Sequence, residues 1–205
     1  MHSKLAKLLM NLASNLDLIW PYLKTNFISK ELPIDLEMPW WSFRAMQRTD
    51  RELVGKRIFE YETGGSTVRY AGIAESIKCV EDDPRWADLV MRRLRGRHNN
   101  NVEIVVHPFD FDYPIDFAGS AYANEVKKHK EVDIVIIDGQ DKTFNERITL
   151  FNLVEPQMRA GGIIILDDFW RYEKRIKSGR ASKLEVFESV GPRRYGVTST
   201  AFFYY

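Results

Sequence analysis

The stretch KRIFEYETGGSTVRYAGIAESIKCVEDDPRW, residues 56–86, decides how the chain is read. Arg57-Ile58-Phe59-Glu60 predicts a first β-strand that runs into a turn carrying Gly64 and Gly65. A helix is expected over about Arg69 to Ser76, followed by a second strand, Ile77-Lys78-Cys79-Val80-Glu81. Pro84 stands where a helix can begin, since a missing N–H costs nothing in the first turn. Trp86, Leu89, Val90 and Leu94 give that helix an apolar face. Strand, glycine turn, helix and strand together make one βαβ unit, the building block of a parallel sheet.

The same alternation continues downstream. Asn99, Asn100 and Asn101 form a turn before the expected strand Val102 to Val106. Pro108 to Lys130 mixes aromatics, prolines and acids, turns basic at Lys127, Lys128 and Lys130, and reads as a loop with one exposed helix. Val132 to Ile137 is a nearly continuous β-branched run, the mark of a strand covered on both faces. A helix over about Phe144 to Met158 leads to Gly161-Gly162 and a second such strand, Ile163 to Leu166. Leu184 to Val190 and Thr198 to Tyr204 then pair as an antiparallel hairpin across Gly191-Pro192 and Gly196. The fold class expected is α/β: a single Rossmann-like, doubly wound, mainly parallel sheet with a C-terminal antiparallel hairpin.

Upstream, Leu5, Leu8, Leu9, Leu12, Leu16, Ile19 and Leu23 fall at helical spacing and predict one amphipathic helix with a packing stripe. Residues 1–50 are read as a helical extension or lid, and residues 51–205 as the Rossmann-like domain. Lys4 and Lys7 precede leucines as in a signal peptide, but Asn11, Ser14, Asn15 and Asp17 interrupt the apolar region and no small-residue cleavage site follows.

Composition bounds the function classes. A hydrophobic fraction of 44% and a charged fraction of 29% describe a globular domain. The net charge of +1 gives no overall field for nucleic acid or an anionic membrane. Arg92, Arg93, Arg95 and Arg97 read as a solvated helix face. Cys79 is the single cysteine, which fits a reducing, cytoplasmic setting, and no apolar run approaches the ~20 residues of a membrane span. The expected partner is a small-molecule substrate, with a homodimer open and with neither membrane nor nucleic acid.

In an open α/β sheet, ligands bind beyond the carboxyl ends of the strands. Glu60, Glu81, Asp138, Asp167 and Asp168 all stand there. The glycines after Glu60 let a ligand approach the backbone, although paired glycines also make ordinary turns. Glu81 ends the second strand, where a carboxylate accepts from ribose hydroxyls; the alternative is an acid capping the helix at Pro84. Neighbouring strand ends lie about 5 Å apart, so Asp138, Asp167 and Asp168 can converge. They could then hold a divalent cation such as Mg²⁺ or supply a general base, against the plainer readings of helix cap and turn acid. His2, His98, His107 and His129 show no ligand spacing, and no nucleophile–histidine arrangement supports hydrolysis. Trp40, Trp41 and Trp170 read as core or pocket wall.

Phe59 to Trp86 resembles motif I and its sequel in class I S-adenosylmethionine-dependent methyltransferases, in particular a bacterial branch with Phe-Glu-Tyr-Gly-Ser-Gly-Gly-Ser-Thr at this turn. Val80-Glu81-Asp82-Asp83-Pro84-Arg85-Trp86 matches that branch's Val-Glu-x-Asp-x-x-Trp segment. Pro39-Trp40, Asp138-Gly139, Arg147, Gly161-Gly162, Leu166-Asp167-Asp168, Arg171-Tyr172, Gly191-Pro192 and Thr198 to Phe202 continue the likeness in order. The resemblance implies a methyltransferase acting on oxygen or nitrogen, with S-adenosylmethionine as cofactor. It implies that Glu60, Gly64 and Gly65 hold the methionine end and Glu81 the ribose, and Glu62, Ser66 and Asp82 are counted with them among the cofactor-binding residues. Phe109 and Asp110 would border the adenine. Asp138 would face the methyl group and the nucleophile, and Asp167 and Asp168 would match the acids of metal-dependent O-methyltransferases. Glu62 departs from the pattern by replacing the first glycine. A carboxylate about 4 Å from the methionine carboxylate would cost roughly 4 kcal/mol, about a thousandfold in affinity. Set against its ammonium, the sign reverses. A degenerate, non-catalytic module and a nicotinamide-dependent oxidoreductase are the competing readings; the latter lacks a well-formed Gly-x-Gly-x-x-Gly turn.

Overall fold

Residues 2–96 and 100–205 are described by the structure, a computed structural model. Arg97, His98 and Asn99, and with them part of the expected turn and basic face, lie outside the described residues. Seven strands form one sheet: β1 (Arg57–Tyr61), β2 (Ser76–Glu81), β3 (Val102–Val106), β4 (Ile134–Ile137), β5 (Ile163–Leu166), β6 (Lys183–Val190) and β7 (Val197–Tyr204). Their spatial order is β3-β2-β1-β4-β5-β7-β6. The first five run parallel, and β7 inserts antiparallel between β5 and β6. The order reverses between β1 and β4, and this switch leaves a crevice beyond their carboxyl ends.

The central strands are legible from side-chain chemistry. Ile134, Val135, Ile136 and Ile137 are all within 1% of full burial, as are Ile164, Ile165 and Leu166 of β5. Side chains alternate across the sheet. Phe59, Tyr61, Val135, Ile137, Ile164 and Leu166 face one core, and Ile58, Ile134, Ile136, Ile163 and Ile165 face the other. Helices cover both faces, as such two-sided strands require.

Eight α-helices occur among the described residues: α1 (His2–Ser14), α2 (Ile19–Leu23), α3 (Pro33–Leu36), α4 (Phe43–Glu52), α5 (Gly65–Tyr70), α6 (Pro84–Arg95), α7 (Ala121–Asn124) and α8 (Glu146–Val154). Asp83 caps α6 by accepting from the Arg85 amide at 2.8 Å, with Pro84 at the first helical position. Arg92, Arg93 and Arg95 fill its last turn, where cations complement the helix dipole. Arg92 pairs with Asp88, and Arg93 with Asp35 of α3, so part of the expected basic face is spent on local ion pairs.

Three expectations are corrected. The helix after the glycine turn begins at Gly65 and ends at Tyr70, not at 69–76, because the segment before β2 closes as a turn with Glu75 donating to the Lys56 carbonyl. Pro108 to Lys130 is not a loop with an exposed helix. Its short turns bury Phe111, Phe117, Tyr122, Ala123 and Val126 against the sheet, because a cluster of aromatic rings offers more apolar area than the polar residues around it. The N-terminal helix breaks at Asn15 into α1, a 3₁₀ turn at Leu16–Leu18 and α2. Leu8, Leu12 and Leu18 pack inward with Tyr22, Phe43, Met46 and Val190, while Leu5, Leu9 and Leu16 stay exposed.

The extension staples the sheet's free edge. Asn11 Oδ1 accepts from the Val190 amide at 3.2 Å, Ser42 Oγ donates to the Phe187 carbonyl at 2.8 Å, and Ser189 Oγ accepts from the Arg44 amide at 3.1 Å. The first two bonds occupy backbone groups of β6 that would otherwise template another strand. No helix among the described residues is long and apolar enough to cross a membrane.

Candidate functional site

A cavity of about 590 Å³ opens over the β1/β4 switch, within the size range of small-molecule sites. The carboxyl end of β1 supplies Glu60, Glu62, Gly64, Gly65 and Ser66 to its wall. The end of β4 supplies Asp138, Gly139 and Gln140, and the end of β5 supplies Asp168. Pro33, Ile34, Met38, Pro39 and Trp40 close it from the extension. Gly65 explains how these two walls meet: a β-carbon there would stand 2.3 Å from the Met38 carbonyl oxygen and 2.7 Å from that of Pro33. The glycine therefore serves the close approach of two backbone segments.

Glu60 is 2% exposed and accepts from the Ser66 and Thr67 hydroxyls, the latter at 2.7 Å. Burial pushes its carboxyl up to about 7, against those two hydrogen bonds. Glu62 adopts φ +68, the left-handed backbone that the glycine pattern anticipates. Its side chain crosses from the β1 turn to the β4 turn and accepts from the Gln140 amide. Burial, then the charges of Glu81 and Asp138, hold this carboxyl well above the usual range.

Glu81 is tied down rather than presented. Its oxygens accept from the Thr63 amide (3.0 Å), the Thr63 hydroxyl (2.7 Å) and the amides of Asp82 (3.0 Å) and Asp83 (3.1 Å). Trp86 Nε1 donates to the Thr63 carbonyl at 2.7 Å on the same turn. The cavity does not reach Glu81, Asp82, Phe109 or Asp110. Phe109 instead stacks edge-on with Phe111 and Phe117, at 5.1 and 5.2 Å between centroids.

Asp138, Asp167 and Asp168 do converge, but on guanidinium groups. Asp138 accepts from Trp41 Nε1 at 2.7 Å and lies 3.2 Å from Arg147. Arg147 also donates to the carbonyls of Gly139 (2.8 Å), Asp138 (3.0 Å) and Asp167 (3.0 Å), locking the β4 and β5 ends together. Arg194 lies 2.7 Å from Asp168 and 3.3 Å from Asp167. Thr200 donates to Asp167 and Thr198 to Asp168, at 2.7 and 3.2 Å. Burial raises Asp167 and Asp138. Burial would also raise Asp168, but Arg194 and Arg147 outweigh it and hold that carboxyl low. Among the described residues no group of three or more His, Cys, Asp or Glu side chains forms a metal cage.

Arg147 and Arg171 belong to the family likeness without a role, and Trp41, Arg193 and Arg194 carry no site signal. Trp41 and Arg147 reach Asp138 from sequence separations of 97 and 9. Arg171, Arg193 and Arg194 line the cavity from the β5 end and the hairpin turn. For the hairpin arginines the available hint was the Arg193-Arg194 pair beside Gly191-Pro192, charges placed where a turn projects them.

No protein-family model and no curated protein matches this sequence. Solved structures do match in fold. A protein from Klebsiella pneumoniae assigned as an O-methyltransferase superposes with a TM-score of 0.58 at 16% identity, covering 96% of this chain and 98% of that one. An rRNA methylase from Streptococcus thermophilus gives 0.57 at 10% identity, covering 86% and 98%. A protein from Streptococcus mutans assigned as a methyltransferase, solved in complex with SAH, gives 0.54 at 10% identity, covering 85% and 99%. The mostly parallel seven-stranded sheet with its β5-β7-β6 antiparallel end is the class I methyltransferase fold.

Proposed function

We propose that this chain is an S-adenosylmethionine-dependent methyltransferase acting on an oxygen or nitrogen of a small molecule. One observation carries the reading: the cavity lies over the switch of a methyltransferase sheet and is lined by the carboxylates of Glu60, Glu62 and Asp138. A ligand carrying both a sulfonium and an ammonium suits such a wall. Two buried carboxyls pushed upward by desolvation, Glu62 and Asp138, gain from a neighbouring cation.

When bound, the cofactor supplies an electrophilic methyl group. The chain's own residues then position and exclude water, which is most of what methyl transfer requires. Glu62 would take the ammonium, while Glu60 anchors Ser66 and Thr67 beneath it. Glu81 would act through Thr63, holding the turn rather than the ligand. Asp138, held by Trp41 and Arg147 and raised by burial, would accept the acceptor's proton. The carboxylates of Asp167 and Asp168 are spent on arginine, so no metal-assisted step is proposed. Met38 to Trp40, with the rest of residues 1–50, would serve as the lid, and the work would be cytoplasmic.

A second reading has its own observation: Glu81 has no oxygen left for a ribose, as in a binding module without transfer. Calorimetric titration with S-adenosylmethionine and with S-adenosylhomocysteine separates the two. Micromolar binding, followed by turnover on a screen of hydroxyl and amine acceptors, is expected. Folded protein that binds neither compound overturns the proposal in favour of the module.

A further inference from the structure

The cavity is electrically divided. Its floor at the end of β1 is acidic, with Glu60 and Glu62, whereas Arg171, Arg193 and Arg194 line the rim after β5 and at the hairpin turn. Between them Arg147 and Arg194 meet the carboxylates of Asp138, Asp167 and Asp168. Arg147 and Arg194 are saturated by the contacts given above. Arg171 and Arg193 are not.

The Arg171 side chain makes no hydrogen bond among the described residues; its buried Nε faces Asp168 Oδ2 at 3.4 Å in an ion pair. It is also braced by the rings of Trp170 and Phe144, at 5.4 and 5.3 Å. A guanidinium braced by aromatic rings, with its terminal Nη donors unspent, is preorganised for an oxyanion. Arg193 donates through Nε and Nη2 to the Glu31 carbonyl, at 3.0 and 2.5 Å, which leaves Nη1 free, and it has no carboxylate partner among the described residues. Its backbone sits at φ +55, a conformation an arginine holds only against strain. That strain projects a cation onto the cavity wall from a turn where glycine would be easier.

We propose that the substrate of this cavity carries an oxyanion group, bound by Arg171 and Arg193 on the rim opposite the acidic floor. The identity of that substrate as a methyl acceptor rests on the methyltransferase reading; the anion site does not. The division of charge would then orient the two ligands, cation to the floor and anion to the rim, so that the acceptor's nucleophile falls between them near Asp138.

The test uses the full-length protein, with and without saturating S-adenosylhomocysteine. Inorganic phosphate and malonate are titrated separately, at fixed ionic strength, by calorimetry. Saturable binding of at least one probe is expected, with the stronger probe telling a phosphoryl from a carboxylate group. Arg193→Gly suits the left-handed backbone and keeps the fold; Arg171→Lys keeps the charge but not the fork. Each should weaken the probe about tenfold while changing S-adenosylhomocysteine affinity less than about twofold. Absence of saturable binding by either probe, or equal binding by the Arg171→Lys/Arg193→Gly double variant, overturns the inference. Anion binding lost in the variants of a protein that never binds the adenosyl compounds would uphold the anion site and sink the methyltransferase reading alone.

Discussion

Glu60 and Glu62 stand two residues apart at the end of β1, and burial raises both carboxyls. Glu60 is buried among hydroxyls, with a carboxyl near 7 in place of about 4.5 in the unfolded chain. A raised acid means that the folded state binds the proton more tightly. Its contribution to stability is therefore full below about pH 4.5 and is lost as pH rises through 7. Across that window the difference amounts to about 3 kcal/mol. Glu60→Gln should remove it, so denaturant unfolding should show the variant gaining on the parent from pH 5 to 7 and levelling off above that. A constant difference across that range would show that Glu60 keeps an ordinary acidity.

Glu62 combines left-handed backbone, a carboxyl disfavoured by burial and one hydrogen bond to Gln140. The first two effects cost about 1–3 kcal/mol each and the bond returns about 1.5–3 kcal/mol, so the residue is a net burden to the fold. Glu62→Gly should raise the stability of the unliganded protein by about 1 kcal/mol. If Glu62 meets the ammonium, the same variant should bind S-adenosylmethionine about tenfold more weakly. Tighter binding would instead reveal repulsion with the methionine carboxylate.

At the scale of elements, two contacts fix the cavity's shape. The first is the backbone of 33–38 lying on Gly65 at the start of α5. Gly65→Ala places a methyl against two carbonyl oxygens that cannot swing aside as a side chain would. It should cost at least about 2 kcal/mol by denaturant unfolding, and loosen the extension as read by proteolysis near residue 38. The second is Arg147 of α8, whose fork spans three carbonyls at the ends of β4 and β5. A lysine offers one point charge in place of that fork. Arg147→Lys should cost about 3 kcal/mol, and a loss under 1 kcal/mol would mean that the strand ends hold their spacing without it.

Across the whole molecule, a ligand in the cavity would touch the ends of β1 and β4 and the 33–40 segment together. A compound that binds only the folded form stabilises it by mass action. S-adenosylhomocysteine at a hundred times its Kd should add about 2.7 kcal/mol and raise Tm by several degrees. Trp41→Phe removes the Nε1 donor from Asp138 while keeping the core filled. It should leave most of that increment in place while lowering turnover, because Asp138 is positioned through Trp41. An unchanged turnover would remove Asp138 from the proton-transfer role.

Much of this architecture follows from residue order alone. The β-branched runs of β4 and β5, the Pro84 helix start and the closing hairpin are local in origin, set by side-chain shape and turn chemistry. The resemblance singled out position 62, where glutamate replaces a glycine of the motif and the folded backbone is left-handed. What the sequence could not decide is which polar groups find one another. The carboxylates at the strand ends were expected to converge, and they do, but on Arg147 and Arg194 rather than on a metal-ligand geometry. Glu81 ended its strand as expected, yet four nearby donors consumed its oxygens. The aromatic stretch after β3 looked exposed because its pattern is irregular, and only the sheet's uncovered face gave those rings a place to bury. Periodicity and turn chemistry act between neighbours in the chain, so sequence determined the elements. Pairing of charges and closing of cavities depend on distances that only the folded chain sets, so tertiary structure decided the site.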